Sequence, residues 1–152
     1  MKIYFASDHA GFSLKNELVA HLRDEKGIEV EDCGAGFYDE KDDYTDLIPL
    51  AIQKLSTDIV MGIIANKAII LGGSGQGEAM IANRHPGIRA TVYYGGENKI
   101  LELSREHNDA NVLSLGARFL SVDEARLAVD FWLACSFNNE ERHARRNKAI
   151  DL

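Results

Sequence analysis

The residues best suited to chemistry lie between Leu71 and Ala79, where Gly72, Gly73, Ser74, Gly75, Gln76 and Gly77 run directly into Glu78. Glycines at this density let a chain turn tightly and leave backbone N–H groups free to face an anion or a developing oxyanion. A carboxylate just beyond them reads in two ways. It is a favourable charge near the positive end of a helix, or it is a general base held over the donors. The glycines do not follow dinucleotide spacing, and no acidic residue stands at the end of a following strand to hold a ribose. Spacing alone leaves a simple chain reversal open.

Three other groups carry similar ambiguity. Asp8 precedes a helix, where aspartate is most often a cap, but His9 beside it is harder to explain that way. His107 and Asn108 stand where a helix gives way to a strand. An imidazole there either caps the helix end or does acid–base work, because histidine titrates near neutral pH. Arg142 and Arg146 are one helical turn apart and project from one face, with His143 and Lys148 to other sides. They form a solvated basic tail or a phosphate clamp, which Arg118 could join.

The elements that must position these groups can be read along the chain. Residues 2–6 are a short β-favouring run. From Phe12, Leu14, Leu18, Val19 and Leu22 make a helical stripe, with Ser7 or Asp8 as its cap. After Lys26 and Gly27, residues 28–33 read as a second strand, and 34–44 as a polar loop. A helix is expected over 46–55, with Pro49 near its first turn, where proline is tolerated. Residues 57–65 fit helix or strand and are taken as the end of a crossover. A strand at 68–71 enters the glycine turn, and a helix follows over 76–83, closed by His85, Pro86 and Gly87. A fourth strand (88–94), a helix (97–106) and a fifth strand (111–115) come next. Ser121 caps a helix over 122–135, with Glu124 completing a capping box and Val122, Ala125, Val129 and Trp132 as its buried face. A polar helix over 140–150 ends the chain. Five β-type runs alternating with helices imply an α/β fold, a parallel sheet covered by helices on both faces.

Composition narrows the function. With 152 residues and 45% hydrophobic content, the chain suits one domain, 1–152, with a full core. A net charge of −7, from 17 Lys+Arg against 24 Asp+Glu, argues against nucleic acid as a partner. The basic cluster at the tail suits a small anionic ligand better than a polymer. Cys33 and Cys135 form no CxxC pair and read as free thiols in a reducing compartment. No apolar run approaches the roughly 18 residues of a membrane span, and residues 1–6 begin on a strand pattern rather than a signal peptide. The expectation is a cytoplasmic protein with no membrane partner.

Four ordered motifs now combine. SDHAG at 7–11, GGSGQGEAMIANR at 72–84, GIRA at 87–90 and HNDANVLSLGAR at 107–118 resemble type B ribose-5-phosphate isomerases. The wider family includes the two subunits of galactose-6-phosphate isomerase. The similarity runs from Met1 through RHARR at 142–146. It implies a three-layer α/β/α sandwich with a five-stranded parallel Rossmann-like sheet. It also implies a homodimer or homotetramer with active sites between subunits, and neither metal nor cofactor. The chemistry implied is isomerisation of a small sugar phosphate, ribose 5-phosphate to ribulose 5-phosphate, through a cis-enediolate. The N–H groups of Gly73, Ser74, Gly75, Gln76 and Gly77 would stabilise the enediolate oxygen, and His107 would help open the furanose ring. Asp8 and Asn108 match sugar-hydroxyl contacts, and Tyr44 a residue lining the pocket. His9, Arg118, Arg142 and Arg146 match phosphate-binding positions, and the helix at 140–150 is expected to serve a neighbouring subunit.

The chain departs from the family pattern at one telling place. Many members carry a cysteine base directly before the glycine loop, where this chain has Gly72. A second subgroup uses a glutamate just after the loop, and Glu78 fits that subgroup. Thr45 replaces the proline of the usual Asp-Tyr-Pro, and Met80 stands where small or branched residues are common. Two terms then compete for Glu78, since burial raises a carboxyl pKa and nearby N–H groups lower it. The alternatives are an isomerase of allose 6-phosphate or galactose 6-phosphate, and a catalytically silent phosphosugar-binding homologue.

Overall fold

A computed structural model describes residues 1–151. The elements in chain order are β1 (Lys2–Ser7), α1 (Phe12–Ala20) with a π turn His21–Glu25, β2 (Glu29–Asp32) and α2 (Tyr44–Val60). Then come β3 (Lys67–Gly72), α3 (Gln76–Ala82), β4 (Ala90–Tyr93), α4 (Asn98–Glu106), β5 (Val112–Gly116), α5 (Val122–Ala134) and α6 (Glu141–Ile150). All strand pairings are parallel, in the order β2-β1-β3-β5-β4.

Both faces of the sheet are buried, and the pleat sorts side chains between them. Ile3, Phe5, Ile69, Leu71, Leu113 and Leu115 point to one core with α1, α4 and α5, where Leu18, Leu101, Val129 and Trp132 meet them. Tyr4, Ala6, Ala68, Ile70 and Val112 point to the other, against Ile48, Ile52 and Leu55 of α2 and Ala82 of α3. The fold is therefore the expected three-layer α/β sandwich. Its order puts the chain reversal between β1 and β3, from which successive strands diverge to opposite edges. Open α/β sheets bind ligands outside the carboxyl ends of the strands at such a point.

Several local expectations change. Residues 57–60 continue α2, because Ile59 packs on the core beneath that helix. The helix also starts at Tyr44, so Pro49 is its sixth residue and not part of the first turn. The carbonyl that loses its donor belongs to Thr45, which is solvent-exposed and can bind water instead. Neither Ser7 nor Asp8 caps α1, whose N-cap is Gly11. Asp8 Oδ1 instead accepts from the N–H groups of Ala10 (3.0 Å) and Gly11 (3.2 Å), fixing the turn before the helix. The Ser121–Glu124 capping box forms as expected. Val122 stays exposed, while Ala125, Ala128, Val129 and Trp132 are buried.

Candidate active site

Because β1, β3 and β5 are adjacent, their carboxyl ends bring Asp8 and His9, the glycine turn, and Arg118 together. The turn leaves β3 at Gly72 and enters α3 through Gly75, whose φ of +77° is a left-handed conformation that glycine adopts without penalty. Ser114 Oγ donates to the Gly75 carbonyl (2.6 Å) and holds the turn against β5. Among the described residues, the N–H groups of Gly73, Ser74, Gly75 and Gly77 have no protein acceptor, whereas that of Gln76 reaches Ser74 Oγ at 3.3 Å. The donors needed for an anion are therefore available.

Glu78 is buried at the base of this cradle, with 4% of its surface exposed. A Cβ built on Gly72 would overlap the Glu78 carboxylate. The carboxylate thus fills the space into which a side chain at position 72 would project. Burial pushes its pKa up, its own N–H works in the opposite direction, and the negative charge of Asp8 adds to the rise. Of the two terms opposed in the sequence, desolvation prevails. A carboxylate whose pKa is raised is a better proton acceptor for a carbon acid. The cysteines offer no rival base: both thiols are free, and burial pushes Cys33 up to about 11.

The remaining residues of this edge surround the cradle. Tyr44 lies over Gly77, with its hydroxyl 2.9 Å from where a Cβ there would stand, and the Arg118 guanidinium lies 3.1 Å from the corresponding point on Gly73. No carboxylate among the described residues pairs with Arg118 in a salt bridge. His9 is held twice by Asp42 Oδ1, through its N–H (2.9 Å) and through Nδ1 (2.7 Å). That bond to Asp42 raises the His9 pKa against partial burial, Asp8 reinforces the rise, and Arg118 opposes it. Asp8, His9 and Asp42 offer ligand atoms within 4.8 Å of one another; Asp8 Oδ1 and Asp42 Oδ1 already accept hydrogen bonds, while Asp42 Oδ2 is buried without a partner among the described residues. Sequence reasoning missed Asp42, one of several acids in a loop with no periodic signal.

His107, Asn108, Arg142 and Arg146 are elsewhere. His107 ends α4 and precedes the amino end of β5, so it lies at the opposite edge of the sheet from the glycine turn. The five residues of β5, at about 3.3 Å each, separate the two edges by roughly 15 Å. Helix α6 docks at that lower edge through the face away from its arginines. His143 stacks on His107 with ring centroids 4.1 Å apart and planes 10° apart, and Asn147 Nδ2 donates to the His107 carbonyl (3.1 Å). Burial, reinforced by His107, pushes the His143 pKa down. Arg142 and Arg146 stay exposed on the outer face. The i,i+4 spacing that found the arginine pair also relates His143 to Asn147, a pair the sequence reading left without a role.

This is an open parallel α/β protein with unpaired backbone N–H groups and a buried carboxylate at its switch point. A family model described as "Ribose/Galactose Isomerase" matches residues 3–150. Over 146 residues the chain is 38% identical to ribose-5-phosphate isomerase B of Mycolicibacterium paratuberculosis, covering 96% of this chain and 87% of the relative. It is 39% identical to ribose-5-phosphate isomerase B of Escherichia coli over 149 residues, covering 98% and 93%. The crystal structure of ribose-5-phosphate isomerase B from Mycoplasma genitalium with bound ribulose-5-phosphate superposes with a TM-score of 0.89. It shares 34% identity with this chain, over 99% of this chain and 93% of that one. The chain belongs to the ribose/galactose isomerase family.

Proposed function

We propose that this chain interconverts ribose 5-phosphate and ribulose 5-phosphate through a cis-enediolate, with Glu78 as the proton-transfer base. The observation that carries the assignment is the Glu78 carboxylate, buried in the space a residue-72 side chain would need and next to unpaired N–H groups. It supports assigning the chain to the glutamate subgroup of the family. The named relatives and the ribulose-5-phosphate complex of one of them support the substrate. Two free thiols suit a cytosolic enzyme.

In this reading Glu78 takes the C2 proton of the open-chain aldose as the C1=C2 bond forms and charge moves to O1. The N–H groups of Gly73 through Gly77 stabilise that charge. Glu78 returns the proton to C1 while the O2 proton passes to O1, which completes the ketone at C2 and the hydroxyl at C1. His107 moves the proton from O1 to O4 that ring opening requires. His9, Arg118, Arg142 and Arg146 hold the phosphate, Asp8 and Asn108 hold hydroxyls, and Tyr44 lines the sugar. Since roughly 15 Å of strand separates the two sets in one chain, we assign the lower set, α6 included, to a neighbouring copy's site in a homodimer or homotetramer.

Solvent deuterium exchange into bound sugar phosphate tests this directly. Wild-type protein should exchange the C1–C2 hydrogens, and Glu78→Gln should bind without exchanging. Binding by wild type without exchange would instead indicate a silent phosphosugar binder. Higher kcat/KM on allose 6-phosphate or galactose 6-phosphate than on ribose 5-phosphate would move the substrate to a six-carbon sugar.

A further inference from the structure

The GIRA motif at 87–90 has no part in the mechanism above, yet its arginine reaches the turn that bears His107 and Asn108. Arg89 lies just before β4, 15% exposed at its side chain. Its Nε donates to the Asn108 carbonyl (2.8 Å), and its Nη2 to the Asp109 carbonyl (3.2 Å) and to Asp109 Oδ2 (3.2 Å). Its Nη1 is taken by both carboxylate oxygens of Asp151, at 2.9 and 2.6 Å. The main chain of Arg89 is tied to the same region, since its N–H donates to Asn111 Oδ1 (2.9 Å) and its carbonyl accepts from the Asn111 N–H (3.0 Å).

Around it, five successive carbonyls are each held from outside the turn. Asn138 N–H takes Glu106, Asn147 takes His107, Arg89 takes Asn108 and Asp109, and Arg105 Nη1 takes Ala110. Arg105 also binds Asp109 Oδ1 at 2.8 Å, so two guanidiniums share one carboxylate. Asp109 has a φ of +44°, a left-handed conformation that is uncommon for a residue with a side chain. Such a conformation persists only where the surroundings over-determine it. Fixing the carbonyls of Asn108 and Asp109 together with the Asp109 carboxylate does that, and it sets the direction in which the chain carries His107 and Asn108. A lysine could not match it, because an ammonium lacks the planar fork.

We propose that Arg89 is a positioning residue for His107 and Asn108, its guanidinium locking the left-handed turn at Asp109 that presents them to substrate. The inference rests on the ring-opening role given above to His107. Its test uses the different demands of the two substrates. Ribose 5-phosphate must be opened from its furanose form, whereas ribulose 5-phosphate has no ring to open and needs only the base and cradle to exchange hydrogen with solvent. Arg89→Ala should lower conversion of ribose 5-phosphate by about 10²-fold, the loss expected from a displacement of about 1 Å. At saturating ribulose 5-phosphate, solvent deuterium exchange should stay close to wild type, because a displaced Asn108 weakens the hold on either sugar and shows in KM. Arg89→Lys should not rescue conversion. Should Arg89→Ala fail to fold, Asp109→Gly keeps the left-handed bend available while removing the shared carboxylate, and it should show the same selective loss to a smaller degree. Conversion and exchange falling in parallel, or neither falling, would overturn the proposal. His107→Ala converting ribose 5-phosphate at the wild-type rate would overturn the underlying reading instead, whatever Arg89 does.

Discussion

The two turns at opposite edges of the sheet solve opposite problems. The glycine turn after β3 keeps the N–H groups of Gly73, Ser74, Gly75 and Gly77 unpaired among the described residues and reaches its left-handed residue with Gly75. The turn after α4 fills its carbonyls with outside donors and bends at Asp109, a residue with a side chain. A cradle for developing charge must offer donors that nothing else has claimed. A platform for an imidazole needs the reverse, a main chain with no freedom left. In the proposed mechanism the upper turn acts through its backbone, and the lower one through side chains that its backbone holds still.

Replacing Glu78 by glutamine tests the upper turn most severely. Losing a general base should lower kcat by roughly 10²–10⁴-fold, with KM little changed. The same variant should gain stability relative to wild type as pH rises. A carboxyl whose folded pKa is raised favours the folded state below its unfolded value, and that contribution is lost as pH rises through the folded pKa. The amide avoids that loss, so thermal unfolding of Glu78→Gln relative to wild type should shift upward between acid and neutral pH. A shift of the opposite sign would break the assignment of a burial-raised base.

Gly72→Ala asks whether the vacancy at position 72 matters. Its Cβ would displace the Glu78 carboxylate, and a displacement of about 1 Å should cost kcat about 10²-fold. Shortening the acid in Gly72→Ala/Glu78→Asp makes room again, so the double variant should recover part of the loss. Losses that simply add would separate the two residues.

Across the sheet, Arg142→Ala and Arg146→Ala should each raise KM about 10- to 100-fold, the range for a hydrogen bond to a charged group. Their kcat values should change less. An unchanged KM would remove the tail from the phosphate site. Mixing Glu78→Gln with Arg142→Ala/Arg146→Ala, at a substrate concentration too low for either alone to turn over appreciably, sharpens the contrast between edges. If the two edges serve sites on different copies, mixed assemblies should regain activity.

The smallest effect concerns His9. Its bond to Asp42 raises the imidazole pKa, so its positive charge and its grip on phosphate persist as pH rises, then fade as pH passes the folded pKa. In Asp42→Asn the rise in KM should begin at lower pH, with a change of a few fold near neutrality. The contribution of protonated His9 to stability, present below its unfolded pKa, should shrink alongside. A KM profile identical to wild type would detach Asp42 from the site.

Much of this was legible in the sequence because it rests on local chemistry. Glycine spacing marked the cradle, Ser121 and Glu124 marked a helix start, and an i,i+4 pair marked the exposed arginines. Signals that depend on distant partners were not legible. Helix α2 runs past Leu55 because Ile59 finds the core, Pro49 lies deeper in it than the first turn, and Val122 faces solvent despite its apolar side chain. Asp42 had no local pattern to distinguish it from other polar residues, and the GIRA and RHARR stretches that contain Arg89 and His143 do not show what those side chains hold.

The sequence by itself determined the alternation of strands and helices, the turn of glycines with an acid behind it, and the absence of a cysteine before that turn. These follow from backbone sterics and side-chain period, which act over a few residues. Only the tertiary structure decided the strand order that gathers Asp8, His9, Arg118 and the glycine turn at one crevice. It alone placed the Glu78 carboxylate in the space left by Gly72, and His107 at the far edge of the sheet. Burial and proximity between residues distant along the chain exist only once the sheet has assembled, and here they set both the direction of the Glu78 pKa shift and the distance between the glycine turn and His107.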